Sequence, residues 1–416
     1  MVARSVYIQK GGKGEAVRRK MPSGEIQDVC LCWYNVDCAE NCIAQVDVEL
    51  LQEVINHRGS YAPGHFDKLK VEGMHDKRCE YCYTFKNTGN VFPREVNLRT
   101  ENDFKKHQPK VIRLGKLTEP GHPYFYNTLM GIFDLCLKYN AGVIFPTKMF
   151  PFGIEGAIET EEFSRNHNPA VRNLAEKVGM VSGQEIAGKL KSITQHTLSY
   201  SIGYDCMEPG AISQGFTNRW RINQAIAYHK EGINTSLTIV CDLHQSIEAN
   251  VARGSAIKEA LDACREFGIN PRLLPIRIKS EKVAMAVTGK TRRELLYDSQ
   301  NRYLPELECV ARWPVSNGLE QKPYRKRGNQ EFAVMFIHDD FKKLIENGMG
   351  VCGSIGLTEY CDGCNLDNRR ISFSIKEIPK VIYNRKEKRP RKKKIKTKIC
   401  PYLLKYSLNS SYPCCN

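Results

Sequence analysis

The sequence has no uninterrupted apolar run of about 18 residues, the length that a membrane-spanning helix needs. Its first 27 residues are polar and basic and lack the apolar core of a secretory signal peptide. Acidic residues are fewer than basic ones, 46 against 62, which leaves a net charge of +16. These absences exclude a transmembrane protein and predict a cytoplasmic one.

The remaining composition is that of an ordinary globular protein, with 41% apolar and 26% charged residues. A chain of 416 residues can bury a large core. One barrel of roughly 250 residues with additions fits this length, and so do two or three domains. No repeat is visible at the level of single residues.

Seventeen cysteines need an explanation in such a chain. A disulfide framework is typical of small secreted proteins, and this chain is neither small nor visibly secreted. Scattered cysteines, such as Cys206 and Cys241, are usually small buried apolar residues. Clustered cysteines favour metal or cluster ligation instead. The clusters are Cys30, Cys32, Cys38 and Cys42; Cys79 and Cys82; Cys352, Cys361 and Cys364; and Cys400, Cys414 and Cys415.

The most informative segment is His75-Asp-Lys-Arg-Cys79-Glu-Tyr81-Cys82, which follows a strand-like apolar run at residues 69–73. Two cysteines three positions apart let both thiolates reach one metal or cluster from a single loop. The aromatic residue directly before the second cysteine makes the pattern more specific.

From residue 68 onward, short β-branched runs alternate with segments that have helical periodicity. Strands that alternate with helices of this kind predict parallel βαβ units. We therefore expect an α/β fold, a partial or full (β/α) barrel with cysteine-rich extensions at both ends. The expected strands are 69–73, 111–115, 143–148, 198–203, 235–241 and 272–278, and the expected helices are 124–139, 184–193, 218–231 and 252–267.

The expected domains are a cysteine-containing N-terminal region (1–62), the barrel (63–330), a cysteine knuckle (331–380) and a basic tail (381–416). In such barrels the chemistry lies at the carboxyl ends of the strands. Residues that could bind a ligand or take part in catalysis follow five of the expected strands. They would therefore lie together at one end of the barrel. They are His75, Cys79 and Cys82; Gly115 and Glu119; Lys148; Cys206 and Glu208; and Cys241.

The segment 75–82 resembles the cluster loop of radical S-adenosylmethionine enzymes, whose pattern is Cys-x3-Cys-x2-Cys with an aromatic residue before the last cysteine. His75 stands in the place of the first cysteine. Within the superfamily, the chain looks most like the spore photoproduct lyase branch. That likeness comes from Thr147-Lys148 at the end of the third strand, Glu208-Pro209 after the fourth, and Arg219 or Arg221 on the next helix. The resemblance covers residues 68–280.

The resemblance implies a [4Fe-4S] cluster with three protein ligands and one open iron that binds S-adenosylmethionine. Reduction of the cluster would cleave this cofactor to a radical that abstracts hydrogen from a substrate, so the protein would be a lyase or another radical enzyme. An electron donor such as flavodoxin or ferredoxin is implied as a partner. The implied residues are His75, Cys79 and Cys82 as cluster ligands; Tyr81, Gly115, Glu119, Lys148, Ser201 and Arg221 at the cofactor; and Cys206 or Cys241 as catalytic hydrogen donor.

His75 departs from the pattern of the family, and three explanations stay open. Histidine replaces cysteine in some iron–sulfur proteins, where it raises the potential. A more distant cysteine such as Cys42 can take the place of the first ligand. The third explanation is an altered, inactive site.

The third cysteine group, Cys352-x8-Cys361-x2-Cys364, has the glycines and the spacing of a metal knuckle. Its three thiolates need a fourth ligand to complete a zinc site or an auxiliary cluster. The first group, Cys30 to Cys42, can supply that ligand or form a site alone.

Residues 385–398 hold ten basic residues and one acidic residue. A block of like charges repels itself and often contacts polyanions, so nucleic acid is an expected partner. This segment supports a rival of a different class, in which Cys79, Cys82, Cys361 and Cys364 make one zinc site in a nucleic-acid-binding protein without catalysis. The substrate of the enzyme alternative stays open.

Overall fold

The computed structural model describes the chain in segments, all of which lie in the compact unit Met1–Glu377. The longest run from 93 to 150 and from 183 to 291, with short gaps. The described residues are 5–6, 8–10, 16–20, 26–32, 34–39, 42, 79–80, 93–115, 118–150, 183–243, 245–276, 281–291, 294, 324–326, 330–332, 338–347, 349–351 and 371–374.

The strands of these segments form three sheets. In chain order they are β1 (Ile8–Lys10), β2 (Ala16–Lys20), β3 (Ile26–Cys32), β4 (Tyr34–Val36), β5 (Val111–Leu114), β6 (Gly142–Thr147), β7 (His196–Ile202), β8 (Thr235–Cys241), β9 (Asn270–Pro275), β10 (Tyr324–Lys326), β11 (Gln330–Phe332), β12 (Gly350–Val351) and β13 (Ile371–Ser374).

The central sheet has eight strands in the order β1-β4-β5-β6-β7-β8-β9-β12. All neighbours from β4 to β12 are parallel, and β1 pairs antiparallel with β4 at one edge. Every residue of β8 is buried. Strands covered on both faces are continuous apolar or β-branched runs, and the sequence Thr-Ser-Leu-Thr-Ile-Val-Cys of β8 is close to such a run.

Helices connect the strands of the central sheet and cover it. Several begin at a side-chain cap: Asn97 and Thr100 form a capping box on α1, and Thr217 caps α5. The helices are α1 (Leu98–His107), α2 (Tyr126–Lys138), α3 (Gly183–Ser192), α4 (Pro209–Ile212), α5 (Asn218–Lys230), α6 (Ile247–Ala252), α7 (Ile257–Phe267), α8 (Glu281–Thr288) and α9 (Asp339–Glu346), with short 3-10 turns at Pro123–Phe125 and Asp205–Met207.

The α/β class and the parallel strand order agree with the sequence-based prediction. Strands β5 to β9 coincide with five of the six expected strands, and α2, α3, α5 and α7 with the four expected helices. Among the described strands the sheet is open, because no pairing joins β1 to β12. The prediction allowed a partial or a full barrel. The observed sheet is not a full barrel, but it is compatible with a partial one.

The first strand of the parallel series differs from the expectation. The expected strand at 69–73 lies outside the described residues, and β4 is the parallel neighbour of β5, with Val36 opposite Leu114. The structure thus places β1 and β4, from the predicted N-terminal region, in the central sheet. Two other cysteines of that region, Cys30 and Cys32, lie on β3 in a separate antiparallel sheet, β13-β3-β2.

Aromatic residues fill the core near the carboxyl ends of the central strands. Phe150, just after β6, stacks on Tyr228 of α5 with ring centroids 4.9 Å apart. The Tyr200 hydroxyl on β7 donates a hydrogen bond to the Phe150 carbonyl. These contacts fix where the chain leaves β6. Within the described segments, no helix is both long and apolar enough to cross a membrane.

Candidate functional site

The carboxyl ends of β5, β6 and β7 meet at one edge of the sheet, as they must in parallel strands. Four charged side chains gather there: Glu119 after β5, Lys148 after β6, Glu208 after β7 and Arg221 on α5. Because these residues are far apart in sequence, only the sheet brings them together.

Glu119 is buried and links the end of β5 to the end of β6. Its carboxylate accepts hydrogen bonds from the Lys148 backbone N–H at 3.0 Å, from the Gly121 N–H at 3.2 Å and from the Thr147 hydroxyl. Burial raises the pKa of Glu119, and these hydrogen bonds act in the opposite direction. The carboxylate therefore fixes the two strand ends relative to each other.

Gly115 ends β5 with φ at +63°, in the left-handed region that favours glycine. A Cβ at this position would lie 2.5 Å from Pro120 Cδ and 2.8 Å from the Thr118 carbonyl oxygen. Its own N–H donates to the Val36 carbonyl at 3.0 Å. The tight turn thus explains the glycine, whether or not a cofactor also approaches it.

Lys148 contacts both an acid and a cysteine. Its Nζ lies 2.6 Å from Glu208 Oε1 and 3.5 Å from Cys79 Sγ. The side chain is only 14% exposed. A cation beside a cysteine favours the thiolate, which is the form that binds metal.

Glu208 and Arg221 form a fully buried ion pair, with Arg221 Nη2 2.6 Å from Glu208 Oε2. Burial raises the pKa of the Glu208 carboxyl, while the Arg221 guanidinium lowers it. Lys148 contacts the other carboxylate oxygen, so the Glu208 carboxyl group lies between two cations. Arg221 Nη1 also donates to the Ser201 carbonyl and to Asn218 Oδ1, each at 3.1 Å.

Two residues of the cysteine motif, Cys79 and Glu80, lie at the carboxyl edge beside the loop after β7. Cys79 and Glu80 are both partly buried. The Glu80 N–H donates to the Met207 carbonyl at 2.9 Å, and the Glu80 carboxylate pairs with Lys282 on α8. Backbone and side-chain contacts therefore fix Cys79 and Glu80 at the carboxyl edge.

The two candidate hydrogen-donor cysteines have opposite environments. Cys206 is exposed, in the 3-10 turn after β7 and next in sequence to Met207. Cys241 is fully buried at the end of β8, where its thiol faces the Ile239 carbonyl at 3.8 Å. Burial raises the pKa of the Cys241 thiol, and the nearby Asp242 carboxylate raises it further.

The remaining predicted ligands, His75, Tyr81, Cys82, Cys352, Cys361 and Cys364, lie outside the described residues. In the part of the chain that is described, no three His, Cys, Asp or Glu side chains lie close enough to hold a metal ion. Cys79 does fit the implied cluster, because the residue is partly exposed and its sulfur faces an ammonium group. The cation in contact with Cys79 is Lys148.

Two features of the site went beyond the sequence-based prediction. Asn218 joins α5 to the end of β7, since its Nδ2 donates to the Gly203 carbonyl at 2.9 Å and its Oδ1 accepts the Gly203 N–H at 3.0 Å. The only local signal for this role of Asn218 in the sequence is its position, one residue after the helix cap Thr217. The second is the strand before Cys38 and Cys42: the sequence-based prediction had named Cys42 as an alternative ligand, but it had not recognised β4, because Tyr34-Asn35-Val36 is too short to show a periodicity.

No protein-family model and no curated protein matches the chain. Among solved structures, the chain is similar to SuiB of Streptococcus suis, in a crystal structure bound to S-adenosylmethionine and in a second crystal structure of SuiB. The identity is 16% and the TM-score 0.31 in both, over 56% of this chain. The match spans 43% and 42% of the SuiB chains, less than half of their length.

Proposed function

We propose that the protein is a radical S-adenosylmethionine enzyme whose four-iron cluster is bound at the carboxyl edge of the central sheet. The contact of 3.5 Å between Lys148 Nζ and Cys79 Sγ carries this proposal. It brings Cys79 to the strand ends where parallel α/β folds carry their ligands. The motif resembles a cluster loop, and the fold supplies the place that such a loop needs.

Lys148 would be the cation that an anionic ligand meets at this edge. The four charged side chains balance in formal charge, with Lys148 and Arg221 against the carboxyl groups of Glu119 and Glu208. The Lys148 ammonium group nevertheless faces Cys79 in a poorly solvated environment, where electrostatic interactions are stronger than in water. Its charge would stabilise thiolates and the carboxylate of a bound amino acid moiety.

The residues of the chain would bind, orient and shield the reactants. Glu119 and Gly115 fix the turn after β5, and Arg221 ties β7 to the loop after it through the Ser201 carbonyl and the Glu208 carboxylate. When bound, the cluster would supply the electron that cleaves S-adenosylmethionine, so the reactive chemistry belongs to the cofactors. The exposed Cys206 is the more accessible of the two proposed hydrogen donors, since Cys241 is enclosed in the core.

Finer parts of the proposal rest on the sequence pattern. Placement in the spore photoproduct lyase-like branch depends on Thr147-Lys148 and on the Glu208-Pro209 segment. A flavodoxin or ferredoxin as electron donor follows from the proposed chemistry. Nucleic acid as substrate or partner depends on the basic segment 385–398. A second cluster or zinc at Cys352, Cys361 and Cys364 is proposed from their spacing.

Anaerobic reconstitution with iron and sulfide tests the proposal. We expect the reduced protein to show the electron paramagnetic resonance signal of a four-iron cluster, and S-adenosylmethionine to change that signal by binding at the open iron. A signal that does not respond to the cofactor would contradict a radical enzyme. Uptake of zinc alone would instead support the alternative of a zinc-stabilised nucleic-acid-binding protein.

A further inference from the structure

Two cysteines that the cluster pattern does not include lie at the same edge of the sheet. Strand β4 is the first parallel strand, and it ends at Val36, opposite Leu114 at the end of β5. The next residues lead directly to Cys38 and Cys42. Because β4 and β5 are parallel, this loop leaves the sheet on the side where Gly115 and Glu119 lie.

Burial separates the roles of these two cysteines. Cys38 is fully buried within the main hydrophobic core, in a cluster that also contains Val36. Cys42 is only partly buried and packs against the outside of the same core. Cys38 therefore has the environment of a packing residue, and Cys42 is the more exposed cysteine of this loop.

Cys42 and Cys79 can reach one site on geometric grounds. Neighbouring strands lie about 4.8 Å apart, so the ends of β4 and β6 are separated by about 10 Å. The residues from Val36 to Cys42 can extend by up to roughly 20 Å, at about 3.3 Å per residue. Cys79 is held at the end of β6 by Lys148, and Glu119 ties that end to β5. The loop after β4 is therefore long enough for Cys42 to reach Cys79.

We propose that Cys42, with Cys79 and Cys82, supplies the three protein ligands of the cluster, and that His75 is not a ligand. This inference rests on the proposed function. The first and second ligands would then be 37 positions apart in the sequence. Three thiolates also keep the potential lower than a ligand set with histidine, as a strongly reducing cluster requires.

Single substitutions in the full-length protein test the assignment. Iron and sulfide per chain and the electron paramagnetic resonance signal are measured after anaerobic reconstitution of Cys42→Ala, His75→Ala and the matched control Cys38→Ala. We expect Cys42→Ala to lose most of the iron, and His75→Ala and Cys38→Ala to retain it. Circular dichroism of each protein before reconstitution shows whether it is folded.

A second measurement does not depend on the folding of the Cys42 variant. If His75 is not a ligand, His75→Cys leaves the reduction potential of the cluster unchanged, whereas a downward shift would overturn the inference. A full cluster in folded Cys42→Ala would also overturn it and leave the proposed function standing. Wild-type protein that takes up no iron–sulfur cluster would refute both.

Discussion

The ammonium group of Lys148 lies 3.5 Å from the sulfur of Cys79, across 69 positions of sequence. The same ammonium group contacts the fully buried carboxylate of Glu208 at 2.6 Å. One side chain thus connects the cysteine motif to the charged interior of the fold. The predictions below follow from this connection and from the buried polar residues near it.

The motif itself can be removed without removing the fold. We expect Cys79→Ala/Cys82→Ala to abolish cluster binding, because two of the proposed ligands are lost, while the far-ultraviolet circular dichroism of the protein stays that of the wild type. Cys79 is partly exposed, so its truncation leaves little cavity. Retention of a full cluster by the double variant, measured as iron and sulfide per chain, would refute the assignment of the motif.

Lys148 should support cluster binding through its charge. Lys148→Met removes the cation beside Cys79 and should reduce the iron retained after reconstitution, because the thiolate form is then less favoured. Lys148→Arg keeps a positive charge and should retain more iron than the methionine variant. Lys138→Met is the control, since Lys138 is 59% exposed in its pair with Glu101. Equal iron content in all three variants would exclude this role.

The buried ion pair should be sensitive to loss of one partner. Arg221→Met leaves the Glu208 carboxylate buried with only Lys148 as counterion, and we expect the free energy of unfolding to fall by about 3 kcal/mol. The same change at Arg265, whose pair with Asp262 is exposed, should cost less than about 0.5 kcal/mol. Urea denaturation of both variants measures the difference, and equal losses would show that Glu208 finds another partner.

His122 predicts a specific dependence of stability on pH. Burial lowers the pKa of His122 to about 4, against a weaker opposing effect of its hydrogen bond to Gln214. The Tyr124 N–H donates to Nδ1 at 3.2 Å, so the proton of the neutral ring is on Nε2, facing Gln214 Oε1. The unfolded chain therefore binds a proton, near pH 6.5, that the folded protein does not.

The resulting stabilisation is fully present above about pH 6.5 and is lost as the pH falls towards 4, by at most about 3 kcal/mol. Since Glu119 and Glu208 titrate in the opposite sense, the prediction concerns the difference between two proteins. His122→Gln should lose less stability than the wild type between pH 7 and pH 4.5. His107→Gln keeps His122 and should follow the wild type. Parallel pH curves for all three proteins would contradict the prediction.

The sequence-based prediction succeeded where the signal is local. The run Thr-Ser-Leu-Thr-Ile-Val-Cys predicts a buried strand by itself, and β8 is that strand. Apolar spacing likewise predicts α2 within 124–139. The sequence-based prediction did not identify β4, because Tyr34–Val36 is three residues long and shows no periodicity. The partner strand β5 makes those residues a strand, through pairing across more than 70 positions of sequence.

The sequence by itself determined the α/β class, the positions of the strands β5 to β9 and the Cys79-x2-Cys82 motif. Each of these is visible as a pattern over a few neighbouring positions. Only the tertiary structure decided which groups meet: Lys148 with Cys79, Glu208 with Arg221, and Cys38 and Cys42 at the carboxyl end of the first parallel strand. Burial removes the hydration of an ionised group. The fold offsets this loss by bringing an opposite charge into contact with the group. No local pattern of residues records where that partner will come from.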